Sequence, residues 1–218
     1  MSLRGVCVFR SSVLGAVCAG ACVSAASGQT TERFNVSSAG EEANENSSRA
    51  SVSADGRYIA FASDARNLAP ADNNGVEDVF VRDTQTGTTI RITINADGEE
   101  ADDRSTRPSI SGDGRFIAFY SDATNLIDND SEDIRDIYVY DRDPDANGIF
   151  DEGNGTHTRV SVSSSGQGGN AFSTRPAISS DGRHIVFRSQ STNLTPGTFS
   201  GVMNIFSHDL QTSQTILI

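Results

Sequence analysis

The chain has 218 residues, enough for one domain with a substantial core, and carries 29 acidic side chains against 17 basic ones, all of them arginine. A formal charge of −12 argues against a nucleic-acid backbone as partner, since displacing its counterions takes a basic patch. Cys7, Cys18 and Cys22 are the only cysteines, so the chain beyond them has no thiol for a disulfide or a cysteine-based metal site.

Residues 1–28 read as a secretory signal peptide. Arg4 and Arg10 precede an apolar run of small residues, Val13 to Ala26, that holds no acid and is too short for a comfortable membrane span. Cleavage is expected near Ala26–Gly28, giving a periplasmic or secreted product with no stable membrane span. Lipid attachment at Cys18 or Cys22 is the alternative, although neither has the upstream Leu of a lipobox.

From residue 29 onward one unit is written three times: Ser51–Phe61 (SVSADGRYIAF), Ser109–Phe119 (SISGDGRFIAF) and Ala177–Phe187 (AISSDGRHIVF). Each copy is a short strand, an Asp-Gly turn and a second strand, because Gly reaches positive φ without steric cost. A second Asp follows 28 residues after the first in every copy: Asp55 to Asp83, Asp113 to Asp141, Asp181 to Asp209. Between them recur Asn67-Leu68, Asn125-Leu126 and Asn193-Leu194, then the β-rich runs Asp78–Asp83, Asp136–Asp141 and Asn204–Asp209. Each unit therefore reads as four short strands without helical periodicity. A self-similar period near sixty with four strands per unit predicts an all-β fold, a β-propeller of four-stranded antiparallel blades, with about three blades starting near 51, 109 and 177. Residues 31–38 match the outer strand at Ile90 and predict a permuted closure, in which the first strand completes the last blade. Three blades make either half of a six-bladed ring, completed by a homodimer, or an arc of a longer propeller. Ile59 and Phe61, Ile117 and Phe119, and Ile185 and Phe187 are the predicted inter-blade core, capped by Leu68, Leu126 and Leu194.

The unit S-x-S-x-D-G-R-[YFH]-I-[AV]-F resembles the WD40-like repeat of TolB-type propellers, a repeat also found in the propeller domains of prolyl-oligopeptidase and tricorn peptidases. The resemblance covers residues 31–218. Ala54, Gly112 and Ser180 stand where that repeat usually has Pro. The resemblance implies a protein-binding platform, or a gate over a separate catalytic domain.

The ten extra residues of the second unit hold the best candidate site. Asp143, Asp145, Asn147, Ile149 and Asp151 follow D-x-[DN]-x-[DN]-G-x-x-D, with Gly148 at the bend. Alternate oxygens of a tight loop suit Ca2+, which takes six to eight hard ligands. Phe150 is expected to tuck this loop against the blade. Further acids, Asp72, Glu77, Asp78, Asp128, Asp130, Glu132 and Asp133, and Glu41, Glu42, Glu99, Glu100, Asp102 and Asp103, are expected together on one loop face. That face is either plainly solvated or a docking surface for a basic partner. His157, His184 and His208 occupy slots where the other units carry unrelated residues. No nucleophile elbow, zinc helix or phosphate loop is present, so no catalytic or cofactor-binding residue is assigned. The expected function is an exported binding or scaffold module for protein partners or self-association. The alternatives are the gate of a hydrolase or peptidase, and a calcium-dependent surface adhesion protein.

Overall fold

The computed structural model describes residues 31–128, 130, 134–197 and 201–218. The predicted signal segment with its cysteines, and Glu132 and Asp133, lie outside them. Strands β1 (Ser47–Val52), β2 (Tyr58–Ser63), β3 (Asp78–Asp83) and β4 (Thr88–Arg91) form the first sheet. The second holds β5 (Ser105–Ile110), β6 (Phe116–Ser121), β7 (Asp136–Asp141) and β8 (Thr156–Arg159). The third holds β9 (Ser173–Ile178), β10 (His184–Ser189), β11 (Asn204–Asp209) and β12 (Gln214–Leu217). Every neighbouring pair within a sheet is antiparallel and consecutive in sequence, the up-and-down order of a propeller blade.

The Asp-Gly hairpin is built the same way three times. The Asp55 carboxylate accepts the Ser53 hydroxyl (2.6 Å) and the Arg57 amide (3.0 Å), while Ser53 Oγ accepts the Tyr58 amide (2.9 Å). Asp113 and Asp181 repeat these bonds with Ser111 and Arg115, and with Ser179 and Arg183. The 28-residue spacing now has a cause. Arg57, Arg115 and Arg183 each fork onto the second Asp of their own blade, Asp83, Asp141 and Asp209, at 2.7 Å.

Blades meet through the aromatic slot that follows this arginine. Arg57 lies over the Tyr58 ring and Arg115 over the Phe116 ring, each at 4.7 Å. Each ring covers the turn glycine of the next blade: a Cβ on Gly114 would lie 2.9 Å from Tyr58 Cγ, and one on Gly182 would overlap Phe116. The inner strands add a ladder across blades. Ala54 N donates to Gly112 O (2.9 Å) and Gly112 N to Ser180 O (2.8 Å). Ile110 N and Ile178 N donate to Ser51 and Ser109 Oγ of the preceding blade.

Two apolar clusters fill the junctions. Tyr58, Ala60, Val79 and Val81 of the first blade pack on Ile117, Phe119 and Tyr138 of the second. Ala118, Tyr120, Ile137 and Val139 of the second pack on Ile185, Phe187 and Phe206 of the third. Leu126 and Leu194 belong to these clusters, and Leu68 caps a third with Phe61 and Phe80, as the repeat predicts. Ile59 is only half-buried.

The permuted closure is not what the sheets show. The third blade is completed by its own β12, paired to β11 from Phe206–Leu217 to Asp209–Gln214. Residues 31–38, expected as an outer strand, contribute one isolated bridge, Val36 to Glu42. The same small hairpin recurs as Ile94 to Glu100 and Val162 to Gly168. The repeat itself holds, but the outer strand lies earlier than expected: β4 ends at Arg91, and the stretch equivalent to residues 31–38 runs mostly through the hairpin after it.

Gly112 sits in the inner ladder where a Cβ would lie 2.8 Å from Ser180 O. Gly112→Ala should lower the unfolding free energy by about 1–3 kcal/mol in urea titration. It should also speed amide exchange at Gly112 and Ala54. Unchanged stability and exchange would show that the inner ladder does not hold the blades together.

Candidate functional site

Much of the expected acidic face is consumed inside the blades. Arg91, at the end of β4, is buried between Asp72 (3.4 Å), Asp78 (3.6 Å) and Glu100 (2.7 Å). Arg159, at the end of β8, repeats the arrangement with Asp130 (2.9 Å) and Asp136 (3.3 Å). The Thr93 and Ser161 hydroxyls donate to Asp78 and Asp136. The third blade carries Asn204 and Leu217 at the Asp78 and Arg91 slots and has no such pair. Asp72, Asp78 and Asp130 are therefore internal counter-ions and not part of a solvated face, because burial of a carboxylate demands a paired cation. Glu41, Glu42, Glu99, Asp102, Asp103 and Asp128 do face solvent, and Glu77 is half-buried.

The insertion closes on itself and on the first blade. Asp143 accepts the Asn147 amide (3.0 Å) and the Gly148 amide (2.9 Å) on its two oxygens. Those amides outweigh desolvation and hold its carboxyl below the usual range. Asn147 Oδ1 accepts the Ile149 amide (2.7 Å), and its Nδ2 donates to Asp145 (3.1 Å) and Glu152 (2.6 Å). Asp151 is forked onto Arg142, with Nε at 2.8 Å from Oδ1. The structure thus gathers Asp143, Asp145, Asn147 and the backbone of Ile149 in one turn and ties Asp151 to a cation. Among the described residues no three His, Cys, Asp or Glu side chains are arranged to hold a metal ion. Arg142 is itself fully buried, donating to Gly114 O (2.7 Å) and lying over Tyr58 (4.3 Å) and Phe150 (4.8 Å). Phe150 tucks against the blades as expected, with its ring 5.4 Å from that of Tyr58.

A set of residues that the sequence reading missed lies on the inner strands. Arg49, Arg107 and Arg175 occupy one slot of β1, β5 and β9 with φ of 56°, 57° and 55°. The register of the inner pair shifts there in all three blades, a β-bulge that re-aims the side chain. Left-handed backbone costs a non-glycine residue about 1–2 kcal/mol, and three copies carry it at the same place. Among the described residues none of these three guanidinia forms an ion pair; Arg49 reaches Thr106 Oγ1 at 3.4 Å. The signal was present as Ser48-Arg49, Thr106-Arg107 and Thr174-Arg175, just outside the unit as it was aligned.

Two of the three histidines are held inside the blades. His157 packs against Tyr140 and Phe119, and burial pushes its imidazole down to about 4. His208 bonds Thr215 (2.9 Å), and His184 is exposed on the third blade. No helix of the described residues is long and apolar enough to cross a membrane.

The three sheets define a β-propeller-type repeat protein. No protein-family model and no curated protein matches the chain. Among solved structures it is similar to TolB from Acinetobacter baumannii (19% identity, TM-score 0.48, covering 81% of this chain and 32% of that one). It is also similar to a putative TolB from Agrobacterium tumefaciens (18%, 0.48, covering 80% and 49%). A third is the β-propeller domain of the Trilobed protease from Pyrococcus furiosus (13%, 0.46, covering 79% and 41%). The chain spans less than half the length of each.

Two buried groups titrate with opposite sign. Desolvation pushes Asp78 up to about 6 from 3.8, against the Thr93 hydroxyl and Arg91, so the folded chain takes that proton first and gains stability as pH falls from 7. His157, lowered from 6.5 to about 4, contributes stability above 6.5 that is lost as pH falls toward 4. In urea unfolding at pH 7 and pH 5, Asp78→Asn should therefore steepen the loss on acidification, and His157→Phe should reduce it. Identical slopes in wild type and both variants would refute these assignments.

Proposed function

We propose that this chain is an exported β-propeller module that binds protein partners, receiving carboxylates of an acidic segment along its inner strands. The supporting observation is the threefold placement of Arg49, Arg107 and Arg175 in left-handed bulges. In a chain whose acids outnumber its arginines, Arg57, Arg91, Arg115, Arg142, Arg159 and Arg183 are forked or paired, whereas among the described residues Arg66, Arg82 and Arg188 share with the inner-strand arginines the lack of an ion pair. Strain retained in every copy, at a slot glycine would fill without cost, supports a role for the side chain beyond folding. A blocked hexaglutamate peptide is the probe. Arg107→Gly with Arg175→Gly preserves the backbone conformation, so the melting temperature should hold or rise while affinity falls about 10-fold, worth ~1.4 kcal/mol. Unchanged affinity would overturn the reading.

A second reading is self-association, favoured by one face of the third blade. Val186 and Ile205 are 36% and 46% exposed, whereas their counterparts Ala60 and Ala118, and Val79 and Ile137, are all 0%. A second copy covering this face is the homodimer that the repeat count suggests. The calcium loop is a further proposal, resting on the spacing of Asp143, Asp145 and Asn147 before Gly148, with the Ile149 carbonyl and Asp151. Arg142 already neutralises Asp151, which places half-saturation in the roughly millimolar range. Sedimentation and melting with calcium or chelator test both. A concentration-dependent dimer lost in Val186→Glu, and a calcium-dependent rise in melting temperature lost in Asp145→Ala, are expected. A monomer at all concentrations excludes the second copy. An unchanged melting temperature makes the loop a metal-free latch.

A further inference from the structure

The two blade junctions are built alike but finished differently. At the first, two guanidinia lie over the Tyr58 ring, Arg57 at 4.7 Å and Arg142 at 4.3 Å, and the Phe150 ring packs beside it at 5.4 Å. Arg142 also donates to the carbonyl of Gly114, the turn glycine that Tyr58 covers. At the second junction Phe116 replaces Tyr58, Gly182 replaces Gly114, and Leu210 replaces Arg142. The register is the same, since Leu210 N bonds Arg183 O just as Arg142 N bonds Arg115 O. The third blade has no insertion, so nothing corresponds to Phe150. What remains is an open groove of about 530 Å³, lined by Phe116, Val139, Asp141, Asp181, Gly182 and Leu210 among others. Among the described residues Phe116 has a cation over it from Arg115 alone.

We infer that this groove is a docking site for a protein segment presenting an arginine beside an aromatic side chain. The chain itself shows the occupant, because Arg142 and Phe150 fill the equivalent groove one blade earlier. The guanidinium would lie against Phe116 and donate to Gly182 O, which Leu210 cannot do. The aromatic ring would lie where Val139 and Leu210 line the wall. Charge favours it through Asp181: Asp141 and Arg183, which also line the groove, are already forked onto Arg115 and Asp209. Lysine is a poorer fit, since a planar guanidinium both stacks on the ring and donates in its plane.

The inference rests on the reading of the chain as a binding module but uses a surface apart from the inner-strand arginines. Its probe is the blocked peptide Arg-Gly-Gly-Phe, titrated to millimolar concentration against the full chain by calorimetry and by amide shifts. Binding should perturb Gly182 and Leu210, and Lys in place of Arg should weaken it about 5-fold or more. Leu210→Arg should abolish binding by supplying the missing guanidinium from within, and should raise the melting temperature by about 2–4 °C. Phe116→Leu keeps apolar bulk and removes the ring, so it should erase the preference for Arg over Lys. No binding at millimolar peptide, equal affinity for the Lys peptide, or full binding to Leu210→Arg would each overturn the inference. Hexaglutamate affinity in Leu210→Arg should equal that of wild type. Its retention alongside failed Arg-Gly-Gly-Phe binding refutes the groove alone; loss of hexaglutamate binding in Arg107→Gly/Arg175→Gly leaves the groove result standing.

Discussion

The structure depends on one arrangement, the arginine that follows each Asp-Gly turn. It forks onto an acid 26 residues later, which joins the second and third strands of its blade, and in the first two blades its face lies on the aromatic ring beside it. That ring then covers the glycine of the following blade. A single side chain thereby couples the hairpin, the sheet and the junction. Arginine suits this because its planar fork matches a carboxylate while its face stacks on a π-system; lysine offers neither geometry. The chain contains no lysine, so every one of these positions has arginine's geometry available.

The blade pattern was legible because it is local and repeated. Asp-Gly turns, alternating apolar residues and a constant spacing between two aspartates fix strands and their order without reference to distant contacts. Ile117, Phe119, Ile185 and Phe187 fell where alternation placed them. The acids misled for a physical reason. Sequence shows a run of charge but not which arginine the fold brings under it, and Arg91 and Arg159 come from β-strands that pair with β3 and β7 across hairpin turns. Asp72 and Asp130, written in polar loops, end up buried on those arginines. The inner-strand bulges were hidden because nothing in an Arg residue announces positive φ; glycine or asparagine would have.

The departures from repetition are as informative as the repeats. The second blade gains ten residues and with them Arg142, which replaces what would be a threonine or leucine slot. The third blade loses the buried arginine and its acid together, Leu217 for Arg91 and Asn204 for Asp78, so no charge is left stranded. That paired loss is expected, since removing one member of a buried ion pair costs far more than removing both.

Such asymmetry limits what blade geometry alone can mean. Three equivalent sheets would present two equivalent junctions, and a partner could not choose between them. The insertion breaks the equivalence by sealing one junction from within. Arg142 and Asp151 neutralise each other within the seal, and Asp181 keeps the remaining groove acidic. A module of this kind can therefore acquire a specific surface without new architecture: the same groove is core in one blade pair and open surface in the next. Which of the two it is depends on whether residue 142 or its counterpart, 210, carries a guanidinium.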